Sequence, residues 1–390
     1  MNRVLFVSNG HGEIAICDRI AMELRGLVPA IEIDHLGLVG DVATRFARDV
    51  GPRRRMPSGG LIAMGNAANL LQDLRAGLLR LTLAQWRFLR SVRGRYGVVI
   101  AVGDVFALVM ASRAGAPTVY VGTAKSVLVA PYGRFEERLL RRADAVFVRD
   151  APTAQRLRSH GVAAEAPGNA IVDLYADGHG GLPQSLTAGF TNVVAILPGS
   201  RVHAYDDAVF LTRVFTDVAR DRAGLGAVLS IAPGIDAARL RSALHHAAFD
   251  VRETPQAFVP FEIARDGRIF ARAWSGEAGA VFAGAILVLG QAGTANEAAA
   301  AAGLPVIAFD RGIDREHEWY RRRQGRLLGE ALVMASGEAG RAAQSVRELL
   351  DDPQRRARLG QIGRERMGAP GGCARIAERV AALLARRESV

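Results

Sequence analysis

Residues 286–309 read Ile286-Leu-Val-Leu-Gly-Gln-Ala-Gly-Thr-Ala-Asn-Glu-Ala-Ala-Ala-Ala-Ala-Gly-Leu-Pro-Val-Ile-Ala-Phe309. A short apolar run ends in a glycine turn. An alanine-rich stretch follows, stopped by Gly303-Leu304-Pro305, and a second apolar run closes the segment. Apolar runs of strand length separated by a helix-forming stretch spell one β-α-β unit, and a parallel pair needs such a crossover. In open α/β sheets ligands bind outside the carboxyl ends of strands, where helix N-termini present free N–H groups to anions. The polar cluster 290–297 therefore marks an anion-binding mouth.

The same alternation extends outward in both directions. Upstream, Val4–Val7, Ile31–His35, Val98–Val102, Thr118–Val121 and Ala145–Val148 read as strands. Helices are expected from about Ile14 to Leu24 and over Ala107–Ala114. Asp150 at a cap, Pro152 in the first turn and Gly161 at a stop bracket another helix. Residues 168–192 are rich in Gly, Pro, Asp and Asn and read as a linker. The pattern then restarts with strands at Val193–Leu197, Ala227–Ile231, Gly267–Ala271, Ile286–Leu289 and Val306–Phe309. Helices are expected near Asp207–Arg220, Ala237–His246, Ala339–Leu350 and Gly372–Arg386.

The reading is an α/β chain of two doubly wound domains, 1–167 and 193–370, facing a cleft. The terminal helix 371–390 is expected to pack back on the first domain. A length of 390 residues suits two such cores.

Composition narrows the function classes. The formal charge is +11, and Lys125 is the single lysine among fifty Lys and Arg residues. A positive field favours anionic ligands or acidic membrane surfaces. No zinc-ligand set, aromatic RNP-like strand or single basic block points to nucleic acid. Cys17 and Cys373 stand far apart, which argues against a disulfide framework and for a reducing cytoplasm. The N-terminal apolar run is too short for a signal peptide, and no run of ~18 apolar residues spans a bilayer. Residues 67–93 differ from the rest: Leu70, Leu71, Leu74, Leu78, Leu81 and Trp86 share a side, and Arg75, Arg80, Arg87, Arg90 and Arg93 lie among polar positions. With the apolar loop 59–64 before it, this basic amphipathic stretch fits a membrane interface or a core-facing helix with a solvated side.

Four turns carry candidate chemistry, and each has a structural reading beside it. Leu197-Pro198-Gly199-Ser200-Arg201 offers a hydroxyl, backbone N–H groups and a guanidinium to a phosphate or sugar; it also fits an ordinary strand-to-helix turn. At Thr294-Ala295-Asn296-Glu297, backbone N–H groups near Gly293 and Thr294 would take a diphosphate and Glu297 a ribose diol; the same residues spell a capping box. Gly10-His11-Gly12-Glu13 places an imidazole and a carboxylate, candidate acid or base groups, beside two glycines that admit a close approach to the backbone; it also fits a tight turn before a helix. Asp104, a lone carboxylate between two apolar runs, is a candidate catalytic group or a helix cap. Asp-x-Asp, Walker A, zinc-spacing and Gly-x-Ser-x-Gly patterns are missing from the sequence, and no metal or cofactor is expected.

Taken together, Ser-Asn-Gly-His-Gly-Glu at 8–13, Ala-Val-Gly-Asp at 101–104, Val-Gly-Thr-Ala-Lys-Ser at 121–126, Leu-Pro-Gly-Ser-Arg at 197–201, Gly-Gln-Ala-Gly-Thr-Ala-Asn-Glu at 290–297 and Arg-Arg-Gln-Gly-Arg-Leu-Leu-Gly at 322–329 form an ordered set. The set resembles the lipid-A-disaccharide synthase-related branch of the GT-B glycosyltransferases. The resemblance implies two Rossmann-like domains, a UDP-sugar held by the C-terminal one, inversion at the anomeric carbon and no metal. It implies Asp104 as base, with Glu13 and His11 next. Arg201 and the helix start at Thr294 would steady the leaving diphosphate, Glu297 would hold the ribose, and Gln324 would reach the sugar or diphosphate. Gly10, Gly12, Ser200, Gly293 and Asn296 complete the expected substrate contacts. The first loop departs from the synthase pattern Gly-Glu-x-Ser-Gly-Asp, so the synthase's donor and acceptor are not carried over.

The resulting expectation is a cytoplasmic, membrane-peripheral glycosyltransferase using a UDP-sugar, with UDP-GlcNAc as one donor type, and a lipid-linked acceptor. A UDP-sugar 2-epimerase-like enzyme and a non-catalytic nucleotide-sugar-binding protein are the alternatives.

Overall fold

The computed structural model describes residues 2–40, 43–54, 56, 67–176, 181–201, 203–312 and 315–388, and of residues 11, 67–70, 315–318 and 387–388 the backbone alone. The chain divides into two compact units, Met1–Leu174 with Pro370–Val390, and Tyr175–Ala369.

The first unit runs β1 (Arg3–Ser8), α1 (His11–Leu27), β2 (Glu32–Gly37), β3 (Arg48–Asp49), α2 (Ala67–Arg75), α3 (Leu78–Ser91), β4 (Val98–Gly103), α4 (Val105–Ala111), β5 (Thr118–Gly122), α5 (Arg134–Leu140), β6 (Ala145–Val148), α6 (Ala151–Ser159), β7 (Ala164–Glu165) and α7 (Ala170–Asp173). Its seven strands are parallel, in the order β3-β2-β1-β4-β5-β6-β7. Order reverses between β1 and β4, the switch point at which doubly wound sheets bind ligands. Strand pleating sorts the side chains between two cores. Val4 and Phe6 of β1 join Val98, Ile100 and Val102 of β4 on one face, while Leu5, Val7, Val99 and Ala101 enter the other.

The second unit runs α8 (Gln184–Thr187), β8 (Asn192–Leu197), α9 (Ala204–Ala219), β9 (Leu225–Ser230), α10 (Ala237–His246), β10 (Asp250–Glu253), β11 (Phe261–Arg265), β12 (Arg268–Trp274), α11 (Ala278–Gly284), β13 (Leu287–Gly290), α12 (Thr294–Ala301), β14 (Val306–Asp310), α13 (Arg315–Leu328), β15 (Leu332–Ser336), α14 (Ala339–Leu350) and α15 (Pro353–Met367). The sheet order is β10-β11-β12-β9-β8-β13-β14-β15, with a switch point between β8 and β13. The opening segment 286–309 is the β13-α12-β14 unit, with β13 and β14 parallel. Strands β10, β11 and β12 pair antiparallel, while β12 joins β9 in parallel.

Residues 168–192 are not linker throughout: α7 belongs to the first unit and α8 to the second. The last helix, α16 (Gly372–Glu388), returns to the first unit, where Ile376, Ala377 and Val380 enter the same core as Ile16 and Ile20 of α1. Asp173 clasps its start, accepting from the backbone N of Gly371 at 2.5 Å and of Cys373 at 2.6 Å.

The 67–93 stretch is two helices, broken at Gly77, whose φ of 93° is left-handed. Leu81, Gln85 and Leu89 are the buried face of α3. Gln85 Nε2 anchors it by donating to Leu38 O at 3.0 Å and Pro52 O at 3.1 Å. Leu71, Leu74, Leu79 and Leu83 are exposed, so part of the apolar side does not face the core. The apolar loop 59–64 lies outside the described residues. No helix among the described residues is long and apolar enough to cross a membrane.

Candidate functional site

Both switch points are lined by the turns singled out from sequence. In the first unit, α1 starts at His11, three residues earlier than expected, with Gly10 at the cap and no side chain bonded there. The first backbone N–H groups of α1 therefore lack an intrahelical acceptor and a side-chain cap. Gly12 is exposed and Glu13 partly so; the His11 side chain lies outside the described atoms. Glu13 Oε1 accepts from Thr123 Oγ1 at 3.3 Å, which links the β1 and β5 turns.

Asp104 caps α4, its Oδ1 accepting from Phe106 N at 2.9 Å and Ala107 N at 3.2 Å. The structural role foreseen for it is realised. One oxygen is committed to the cap; the other takes no hydrogen bond among the described residues. The turn itself is braced from below: Tyr120 Oη donates to Gly103 O at 3.1 Å and lies 3.1 Å from Tyr132 Oη. Burial pushes both phenols above their ordinary range, so they are neutral props.

A buried relay runs beneath this edge. Ser8 Oγ lies 2.8 Å from His35 Nε2, and His35 Nδ1 lies 3.0 Å from Asp49 Oδ1. The order is that of a serine nucleophile and its base. Ser8 and His35 are both 0% exposed, so no substrate can reach the hydroxyl, and the relay ties β1, β2 and β3 together instead. Burial holds His35 below its ordinary range, against the opposing pull of Asp49.

In the second unit, Gly199 adopts φ +91°, and a Cβ there would lie 3.3 Å from Ala292 Cα. A side-chain-free backbone lets the β8 and β13 turns close on each other. Ser200 and Arg201 are exposed, and the Arg201 guanidinium stacks 4.0 Å from the Tyr320 ring centroid. The expected capping box does not form. Gly293, not Thr294, is the cap of α12, and no side chain bonds there. The Thr294 hydroxyl instead meets Tyr175 Oη at 3.1 Å, and Glu297 sits half-buried in the first turn.

Asn296 and Gln324 turn inward, at 0% and 3% exposure. Gln324 Nε2 donates to Ala292 O at 3.2 Å and Gly293 O at 3.0 Å, and its Oε1 accepts from Asn296 Nδ2 at 3.3 Å. Both amide ends of Gln324 are thus used to hold the 292–293 turn.

Sequence reading missed Arg321. It is 8% exposed, donating to Gln291 O at 3.1 Å and Gly290 O at 3.5 Å, with no carboxylate at ion-pair distance among the described residues. Burial, only partly opposed by the field of Asp207, pushes its guanidinium down to about 10. Taking a cation out of water costs several kcal/mol unless it is closely paired. An anion in front of α12 would offset that cost. No local signal singled out Arg321 in a chain crowded with arginines.

No protein-family model matches the chain, and no curated protein matches its sequence. Its fold does match solved structures. The S. aureus MnaA–UDP co-structure aligns with TM-score 0.60 at 11% identity, covering 99% of this chain and 97% of that one. UDP-GlcNAc 2-epimerase from Neisseria meningitidis, bound to UDP-GlcNAc, aligns with TM-score 0.53 at 12% identity over 98% and 100%. Acinetobacter baumannii MurG aligns with TM-score 0.57 at 12% identity over 98% and 100%. The likeness is one of fold: the chain consists of two Rossmann-like α/β units of the GT-B type.

Proposed function

We propose that the chain is a UDP-sugar enzyme, and specifically an inverting, metal-independent glycosyltransferase. The observation that carries the donor half is Arg321, a buried cation with no carboxylate at ion-pair distance among the described residues, beside the start of α12, where no side chain caps the helix. That combination suits a diphosphate, and Arg201 adds a second guanidinium from the β8 turn. Similar folds have been solved with UDP and with UDP-GlcNAc, which supports uridine as the nucleoside. Glu297 is the residue for the ribose diol. In the first unit, Asp104 serves as base for the acceptor hydroxyl through its uncommitted oxygen, with Glu13 and His11 as the other acid–base groups. The leaving diphosphate would be stabilised by cations already in place, so little reorganisation accompanies bond breaking.

The finer reading adds a lipid-linked acceptor reached at an anionic membrane surface on the cytoplasmic side. Exposed Leu71, Leu74, Leu79 and Leu83 on α2 and α3, interspersed with exposed Arg75, Arg80, Arg87 and Arg90, support it. Sedimentation with phosphatidylglycerol vesicles at low salt tests it; a protein left in the supernatant removes the membrane from the proposal.

Titration calorimetry with UDP and UDP-GlcNAc tests the core reading, with micromolar to millimolar binding expected; no binding of any uridine nucleotide would refute it. The fold match to the Neisseria epimerase favours a second reading, a UDP-sugar 2-epimerase-like enzyme. Incubation with UDP-GlcNAc alone separates the two, because only an epimerase turns over without an acceptor. Binding without turnover under either condition leaves the nucleotide-sugar-binding protein.

A further inference from the structure

Forty-nine of the fifty cationic side chains are arginine, and one position holds lysine. Lys125 sits in the turn after β5, at the carboxyl edge of the first sheet, where ligands of this architecture bind. Its Nζ lies 2.7 Å from Glu136 Oε2 and 5.7 Å from the Tyr132 ring centroid. Glu136 Oε2 also accepts from Gly133 N at 2.8 Å, closing the first turn of α5. The pair is only partly covered, with side-chain exposures of 31% and 24%.

The difference between lysine and arginine matters here. A guanidinium meets a carboxylate with a planar fork and engages both oxygens. An ammonium makes one point contact and has three donors. With lysine, Glu136 Oε1 stays open and two ammonium N–H groups have no hydrogen-bond partner among the described residues. The result is a spare donor on Lys125 and a spare acceptor on the Glu136 carboxylate it contacts, the pairing that a vicinal diol can answer with one oxygen accepting and its neighbour donating. The pair is net neutral, and Asp104, Glu13 and the buried Asp150 at the same edge outnumber Arg149, which donates to Thr123 O, so a phosphate is disfavoured there and a hydroxyl-rich neutral group is suited.

We propose that Lys125 and Glu136 form a subsite for vicinal hydroxyls of a neutral sugar. On the glycosyltransferase reading, on which this assignment rests, that sugar belongs to the acceptor. The Tyr132–Tyr120–Gly103 bracing places the subsite in mechanical continuity with the turn that carries Asp104.

The single lysine makes the test clean. In the full chain, an amine-reactive reagent modifies one side chain, resolved from the N-terminal amine by peptide mass. The probes are methyl glycosides of glucose, galactose, mannose and N-acetylglucosamine, with inorganic phosphate as the anionic control. At least one glycoside should slow labelling several-fold while phosphate does not. Lys125→Arg, which keeps the charge and closes the carboxylate, should lose that glycoside's binding by calorimetry with folding intact. Glu136→Gln, which retains an oxygen for Gly133 N, should label faster and lose protection. Labelling indifferent to every glycoside, or slowed equally by phosphate, overturns the subsite. UDP binding measured in the same samples keeps the two questions apart: a chain that binds UDP without glycoside protection loses only the subsite, and one protected without UDP binding loses only the donor reading.

Discussion

The two switch points share a topology and differ in charge. The edge of the first sheet carries four carboxylates, Glu13, Asp104, Glu136 and the buried Asp150, against two cations, Lys125 and Arg149. The edge of the second presents guanidiniums, Arg201, Arg311 and Arg321, balanced in part by Asp207, which pairs with Arg311, by Asp310 and by Glu297 in the first turn of α12. A Rossmann-like unit is therefore a frame with an undefined chemistry, and the side chains at its carboxyl edge decide what it can do. Carboxylates can take a proton from a hydroxyl; fixed guanidiniums can hold a diphosphate as it leaves. Group transfer from a nucleotide sugar needs both.

The sharpest way to break that comparison is Asp104→Asn. Asparagine caps a helix as well as aspartate does, so α4 should be retained. Turnover should fall by about 10²–10⁴-fold, the range for a lost general base, with UDP affinity unchanged. Steady-state kinetics beside calorimetry decide it; retained turnover would move the base to Glu13 or His11.

Next in size is a carboxylate of the first unit that lies away from the edge. Asp34 accepts from Arg3 at 2.7 Å, Tyr96 at 2.8 Å and Arg48 at 2.9 Å. Burial pushes its carboxyl up, but Arg48, Tyr96 and Arg3 outweigh burial and hold it below the usual range. Its folded-state value being depressed, its stabilisation is present above the ordinary aspartate value and is lost as pH falls through the folded one. Asp34→Asn should cost about 3 kcal/mol of unfolding free energy at neutral pH and flatten the acid limb of the stability profile. UDP affinity should not move. Urea titrations between pH 3 and 7 measure both.

At the arginine edge, Arg321→Met should weaken UDP by roughly 10–100-fold, the loss of a charge-assisted contact. Stability should change by less than about 1 kcal/mol, because relief of a buried cation offsets the hydrogen bonds given up at Gly290 and Gln291. A large drop in melting temperature with UDP binding preserved would make Arg321 a structural residue and dissolve the contrast between the edges. The smallest effect is at Tyr175, whose hydroxyl meets Thr294. Tyr175→Phe frees the Thr294 hydroxyl at the start of α12, and UDP affinity should shift by a few-fold, about 1 kcal/mol or less.

Sequence patterning was informative where interactions are local. Segment 286–309 resolves as β13, α12 and β14 within a residue or two, because apolar runs, a glycine turn and a Gly-Leu-Pro stop each act on their own neighbours. Asp150 accepts from Thr153 N at 2.8 Å, as its cap motif requires. Strands β10 and β3 were not legible: Asp250–Glu253 is charged and largely exposed, and Arg48–Asp49 is two residues long. Neither has an apolar period, and both exist through pairing with a neighbour. The Thr294 box failed by one residue, since Gly293 takes the cap and Tyr175, 119 positions earlier, takes the threonine hydroxyl.

By itself, then, the sequence determined a chain of alternating strands and helices, repeated, with polar turns at the ends of apolar runs. Those features follow from side-chain period and turn chemistry, which act over a few residues. Only the tertiary structure decided which turns meet at a switch point, that Arg321 is buried against the carbonyls of Gly290 and Gln291, and that the single lysine stands beside Glu136. Each depends on burial and on partners distant in the chain, and neither desolvation nor a long-range contact is written in any local pattern of residues.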